Sequence, residues 1–327
     1  MSFRKILGGL NPLKQESPAT PPHLYAYKTR FSLLGTVGSG KSTIVALSVL
    51  TTQTLSSDLP NFSCRPRENT SNILADVSHI RRGRFPAKTV PYGTYASEAG
   101  LLMTWQSWRG EKKIQVPICD IAGEDIQIMI KQYGHNIQNI GQVAYSASMN
   151  LINYVKDSDG FILAVPASRA LIFREDKQVE RENPELDPDA DVNLARILGE
   201  VIDYKERTRS KPIKGIAVVI TKWDMLQPFA EQLGMNIFTE QGLTEFMDVA
   251  FSSTSQLIKA CRVANVQFFP SYVEVERDEK GKVKTWDDDG SPKIKPKTST
   301  LIRDRRKPSY SEQSYVNLIE YLHQFAS

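Results

Sequence analysis

The sequence predicts an α/β fold: a mostly parallel sheet with helices on both faces. Three observations carry that prediction. From Lys28 onward, short apolar runs alternate with helical segments. The runs are mostly apolar, as strands buried on both faces are. A glycine-rich loop joins the first apolar run to the first helical one, which is how an α/β unit begins.

The elements follow in order. Residues 1–14 set Phe3, Ile6, Leu7, Leu10 and Leu13 beside Arg4, Lys5 and Lys14, a pattern that suits peripheral contact with an anionic membrane. Gly8, Gly9 and Pro12 interrupt any helix there, so a loose tail is the favoured reading. Residues 15–23 read as an extended, proline-rich linker, and the folded domain spans 24–327. The apolar runs at 30–34, 101–106, 113–119, 160–165, 214–221 and 266–275 predict strands. A helix packed on the sheet is expected over 43–50. The stripe Leu194, Ile197, Leu198, Val201 and Ile202 predicts a helix over 191–207, with Asp191 as its cap. Amphipathic helices are expected over 242–262 and 312–326.

Two segments read as insertions. Residues 174–191 hold eight acidic and three basic side chains, with Pro184 and Pro188. Residues 276–307 are highly charged, and Asp278–Lys282 reads as a hairpin turn. The sequence shows no internal repeat.

Composition removes several function classes. A net charge of +4 over 327 residues is too small to argue for nucleic acid. Cys64, Cys119 and Cys261 lie far apart, which argues against a zinc site or a disulfide framework and suits a reducing compartment. The four histidines are scattered. No apolar run approaches the length of a membrane span. The first residues lack the apolar core of a signal peptide, so a cytoplasmic location is expected.

The loop Gly35-Thr36-Val37-Gly38-Ser39-Gly40-Lys41-Ser42 fits G-x-x-x-x-G-K-[S/T]. Four specified positions match by chance in about one chain in a hundred of this length. The chemistry follows from the residue types. Glycines let backbone N–H groups curl around phosphate oxygens. The helix after them, entered at Thr43, offers its positive end to the same anion. Lys41 can reach the β- and γ-phosphates, and the Ser42 hydroxyl can ligate Mg²⁺. Further on, the run Ile114–Cys119 ends in Asp120-Ile121-Ala122-Gly123. There Asp120 suits Mg²⁺, and the Gly123 N–H suits the γ-phosphate. Thr221-Lys222-Trp223-Asp224 ends another apolar run, at the sheet edge where ligands bind in such folds. An aspartate there can accept from N1–H and the N2 amine of guanine. Adenine leaves that carboxylate unpaired. The Lys222 stem can lie on the purine face.

Gly35–Ser42, Asp120–Gly123 and Thr221–Asp224 resemble the first, third and fourth motifs of Ras-like P-loop GTPases of the translation-factor-related class. The resemblance covers about residues 28–275 and the last helix. It implies a three-layer, Rossmann-like sheet of six strands, Mg²⁺-GTP and GDP as ligands, and two switch segments that report the γ-phosphate to a protein effector. It also implies a switch threonine on Mg²⁺. Thr89 is the choice, with Thr94 and Thr70 as the other candidates. Ser271, in Pro270-Ser271-Tyr272, stands where the family's fifth motif backs the base, although the usual alanine and lysine are missing. Glu124 follows Gly123 where many relatives carry a water-orienting glutamine, so slow or partner-dependent hydrolysis is expected. The Phe85–Thr89 element and the charged insertion before the last helix resemble GTPases found beside bacterial conflict and defence genes.

The resulting expectation is a GTPase switch in which Lys41, Thr89 and Glu124 serve catalysis. The other reading, motivated by Glu124, is a nucleotide-locked interaction subunit that binds GTP or GDP without turning it over. An ATP-using kinase would leave Thr221–Asp224 unexplained. Arg81, Arg82 and Arg84 are candidates for an arginine finger in cis, with a solvated basic loop as the favoured alternative. Tyr92, Trp105 and Trp108 suit either a partner surface or packing.

Overall fold

The computed structural model describes residues 29–36, 38–54, 61–67, 70–86, 100–117, 158–169, 189–207, 212–226, 239–261, 263, 265–280, 282–297 and 307–327. In chain order the elements are β1 (Phe31–Gly35), α1 (Lys41–Thr54), β2 (Phe62–Arg67), α2 (Thr70–Arg81), β3 (Gly100–Ser107), β4 (Gly110–Pro117), β5 (Gly160–Pro166), α3 (Ala190–Arg207), β6 (Gly215–Thr221), α4 (Glu240–Ala250), α5 (Ser252–Ala260), β7 (Val266–Pro270) and α6 (Glu312–His323).

Four strands form a parallel sheet in the order β1-β5-β6-β7. Their register sets Gly35 opposite Ala164, Pro166 opposite Thr221 and Ile220 opposite Pro270, so the carboxyl ends share one edge. At the other end, the Asp159 carboxylate accepts from the Arg30 backbone N–H at 3.0 Å and pairs with Lys214 at 2.9 Å. One side chain thereby fixes the starts of β1, β5 and β6.

Side chains along these strands alternate between two cores. Leu33, Ile162, Ala164, Ala217 and Val219 join α1, α2 and α6 on one face. Leu34, Phe161, Leu163, Val165, Ile216, Val218 and Ile220 join α3, α4 and α5 on the other. The expected three layers follow. Helix α1 is covered around its whole circumference, from Ile44 through Thr51, because α2 and α6 pack on the side away from the sheet.

Of the expected sheet of about six mostly parallel strands, the described residues show four in one parallel sheet. Strands β2, β3 and β4 form a separate antiparallel sheet. A two-residue turn, Trp108-Arg109, joins β3 to β4, and so short a connection permits only antiparallel pairing. One parallel bridge, Arg30 to Gln115, ties β4 to β1, so β4 runs toward the same edge as β1. Strand β2 and helix α2 escape a sequence reading for different reasons. Strand β2 is polar and contains Pro66, which an edge position tolerates. Among the described residues, helix α2 buries only Ile73, Val77 and Ile80, a thin stripe at helical spacing.

Three boundaries also shift. The strand expected over 266–275 stops at Pro270. The helix expected over 242–262 is two helices, broken where Phe251 leaves the helical region at φ −131° and ψ 49°. Asp191 lies inside the first turn of α3 and caps a different helix. Its carboxylate accepts from the N–H groups of Ser253 and Thr254, both at 2.9 Å, and so closes the start of α5. A carboxylate 3 % exposed that satisfies two orphan donors stabilises the junction strongly. Asp191→Ala should therefore cost about 2 kcal/mol in urea unfolding, with Asp191→Asn in between. An unchanged midpoint for the alanine variant would remove Asp191 from this role.

Candidate functional site

The shared carboxyl edge of the parallel sheet brings together two of the segments that the motifs single out, Gly35–Ser42 and Thr221–Asp224. After β1 ends at Gly35, the chain turns through Gly38 and Gly40, at φ 63° and 84°, and enters α1 at Lys41. Gly40 cannot be replaced without strain. Its φ is left-handed, and a Cβ there would lie 3.3 Å from Thr221 Cγ2. The first α1 bond, Ile44 N–H to the Gly40 carbonyl at 2.9 Å, starts the helix directly behind the loop. No acidic residue stands in the first turn of α1, so the helix itself does not offset its positive end.

The Lys41 ammonium donates to the carbonyls of Gly35 at 2.9 Å and Thr36 at 3.0 Å, bending back across its own loop. The hydroxyls of Thr36 and Ser39 are buried and make no hydrogen bond among the described residues. A loop with inward lysine, left-handed glycines and unmatched hydroxyls has the donor set that phosphate oxygens require. Ser42 and Thr43 stand in the first turn of α1, both half-buried. Among the described residues no group of three or more His, Cys, Asp or Glu side chains is placed to hold a metal ion. Of the metal ligands expected from the sequence, Ser42 is the one inside the described part of the site. Val37, Thr89, Asp120, Gly123 and Glu124 lie outside the described residues.

Strand β6 delivers the second part of the site. Thr221 closes the strand, and its hydroxyl donates to the Ser39 carbonyl at 2.8 Å inside the core. Thr221 therefore holds the glycine loop from behind. The next residue, Lys222, takes φ 56° and ψ 33° and leads into a single 3₁₀ turn, Trp223–Met225. Asn61 and Lys222 are the only non-glycine residues with positive φ among the described residues. The left-handed region costs an L-residue about 1–2 kcal/mol, and such strain collects at functional turns. Trp223 is buried and anchors the turn edge-on against Phe246, with ring centroids 5.7 Å apart.

Asp224 stands half-buried in that turn. Burial raises its carboxyl above the usual carboxylate range. Its own backbone N–H and Arg277 oppose that rise, while Glu274 adds to it. Glu274 itself is held low by Lys295 at 2.8 Å.

The loop after β7 backs this turn. Ser271 N–H donates to the Ile220 carbonyl at 2.7 Å, and the Ser271 carbonyl accepts from Trp223 N–H at 3.1 Å. The Ser271 hydroxyl pairs with the Tyr315 hydroxyl of α6 at 2.7 Å, deep in the core. Ser271 thus supports the loop through its backbone, with its side chain turned to α6. Sequence reasoning did not find Tyr315, Glu274 or Arg277. They reach this edge from segments whose proximity only the tertiary fold creates.

No family model and no curated protein matches this chain. No helix among the described residues is long and apolar enough to cross a membrane.

Thr221→Val keeps the shape and removes the bond to Ser39. A neutral buried hydrogen bond contributes about 1 kcal/mol, so amide exchange across Ser39–Lys41 should rise about fivefold while Thr221→Ser stays near the parent. Unchanged exchange in the valine variant would show that Thr221 does not hold the loop.

Proposed function

We propose that the carboxyl edge of the parallel sheet binds a guanine nucleoside triphosphate with Mg²⁺ and hydrolyses it slowly, the protein acting as a switch for a protein effector. The observation that carries this reading is the hydrogen bond from Thr221 to the Ser39 carbonyl. It joins the loop suited to phosphate to the turn suited to a purine, at the edge where α/β sheets bind ligands.

Each residue then has a task. Lys41 leaves the Gly35 and Thr36 carbonyls for the β- and γ-phosphate oxygens, and the loop amides take the rest. Ser42 and Asp120 hold Mg²⁺, whose charge offsets that of the phosphates. Asp224 accepts from the guanine edge, and Lys222 covers one face of the ring. Its left-handed backbone leads the chain into the turn that carries Asp224. Thr89 and Gly123 are the candidates for sensing the γ-phosphate. Strand β4 runs parallel to β1 toward this edge, and Asp120 follows its last residue, Pro117, by three positions in the sequence. That direction supports a sheet with the strand order of the resembled GTPases. Glu124, a carboxylate where relatives carry glutamine, would face the γ-phosphate charge and favours slow turnover.

A chromatographic time course with GTP and Mg²⁺, an ATP arm alongside and Lys41→Ala as control tests this. GDP should accumulate in the GTP arm alone and vanish in the variant. Intact GTP that stays bound would replace the switch with a nucleotide-locked subunit. Equal use of ATP would overturn the guanine reading.

A further inference from the structure

The described residues of the charged insertion after β7, 276–280, 282–297 and 307, form a bonded structure with a defined docking point. Its chain runs out along 272–278, turns at Asp278–Lys282, returns over 282–286, turns again, runs over 291–297 and comes back at 307–310 into α6. The backbone closes on itself in rings. Glu274 N–H donates to Ser309, Ser309 to Lys295 and Lys295 back to Glu274, at 2.8–2.9 Å. Glu276, Lys293 and Lys284 repeat the cycle one level further out, again at 2.8–2.9 Å. The turn is sealed by the Asp278 carboxylate, which accepts from Lys280 and Lys282 N–H groups at 2.9 and 2.8 Å. Segments bonded in closed rings resist sliding, because no strand can shift without breaking a bond at each level.

The far end of this element grips the chain as it leaves α2. The Gly83 carbonyl accepts twice, from Ile294 N–H at 2.9 Å and from Trp286 Nε1 at 3.1 Å. Arg84 lies over the Trp286 ring at 4.3 Å and forks to Asp288 at 2.8 Å and Asp289 at 3.0 Å. Gly83 sits at φ 81°, a left-handed conformation that L side chains rarely adopt, so the backbone there favours glycine. Ile294 itself is buried in the core shared with α1 and α2. The near end begins at Ser271, whose backbone is bonded to Ile220 and Trp223. A continuous bonded path therefore runs from the turn that carries Asp224 to the end of α2.

We propose that residues 271–297 form a strut that couples the Trp223–Asp224 turn to Gly83–Arg84, with Arg84 and Trp286 as its positioning residues. Arg84 is thereby an anchor rather than an arginine finger, since its guanidinium is held between an indole ring and two carboxylates. The strut itself stands on the structure alone. Its use in reporting base occupancy to α2 rests on the guanine-nucleotide reading above.

The test perturbs one end and reads the other. In the full chain, Trp286→Ala combined with Asp288→Asn and Asp289→Asn should speed amide exchange at Ile294 by about tenfold, and at Ser271 and Trp223 by severalfold. Exchange at Ser255 and Cys261, on the opposite face, should not change, which separates this effect from general destabilisation. Trp286→Phe keeps the ring under Arg84 and should recover most of the protection. A rise confined to Ile294 would overturn the coupling, and no rise at Ile294 would overturn the clamp. These readouts use no nucleotide. Binding of fluorescent GDP to the parent is measured alongside, and its failure would sink the nucleotide reading while the exchange data still decide the strut.

Discussion

The hydrogen bond from the Thr221 hydroxyl to the Ser39 carbonyl has to form for this edge to exist as one site. It spans the loop after β1 and the end of β6, which the chain separates by 182 positions. Behind it lies the register of the sheet, which sets both strand ends beside Ala164 and Pro166 of β5. Asp159 fixes that register from the other end through Arg30 and Lys214. A one-residue slip in β6 would turn Thr221 to the opposite face and move the hydrophobic set Ile216, Val218 and Ile220 out of its core. Packing of both cores and assembly of the edge are thus one constraint.

The same edge carries local costs that the packing offsets. Lys222 is held in a left-handed conformation, and Asp224 is taken partly out of water next to Glu274. Trp223, between them, is buried against Phe246 and bonded to Ser271 through its backbone. Burial of a tryptophan removes enough apolar area from water to offset such strain of about 1–2 kcal/mol. Contacts within the protein hold the turn in this shape, and such preorganisation lowers the ordering cost of binding.

Much of the fold was legible because buried parallel strands are apolar runs with few alternatives. The runs at 160–165 and 214–221 correspond to β5 and β6 almost residue for residue. Legibility failed where the signal was long-range or thin. The two-residue turn at Trp108-Arg109 decides antiparallel pairing, yet no glycine stands at its centre to mark it. The cap of Asp191 goes to a helix 62 positions away, a partner no local pattern names. Phe251 breaks a helix without glycine or proline. Spacing and residue type singled out the loop at Gly35–Ser42 and the turn at Thr221–Asp224, which the fold brings to one edge. They could not identify Tyr315 behind Ser271, nor the grip of the charged insertion on Gly83. Those depend on how α6 and the insertion fold back across the sheet.

The central claim is that Asp224 selects a guanine base held against this edge. Equilibrium displacement of fluorescent GDP by GTP, ATP and xanthosine triphosphate, on the parent and on Asp224→Asn, tests it most directly. The parent should prefer GTP, because only guanine donates to a carboxylate from both positions. The variant should lose GTP affinity by about a hundredfold and prefer the xanthine nucleotide, since an amide can donate to the xanthine carbonyl. Retention of full GTP preference by Asp224→Asn would contradict the account.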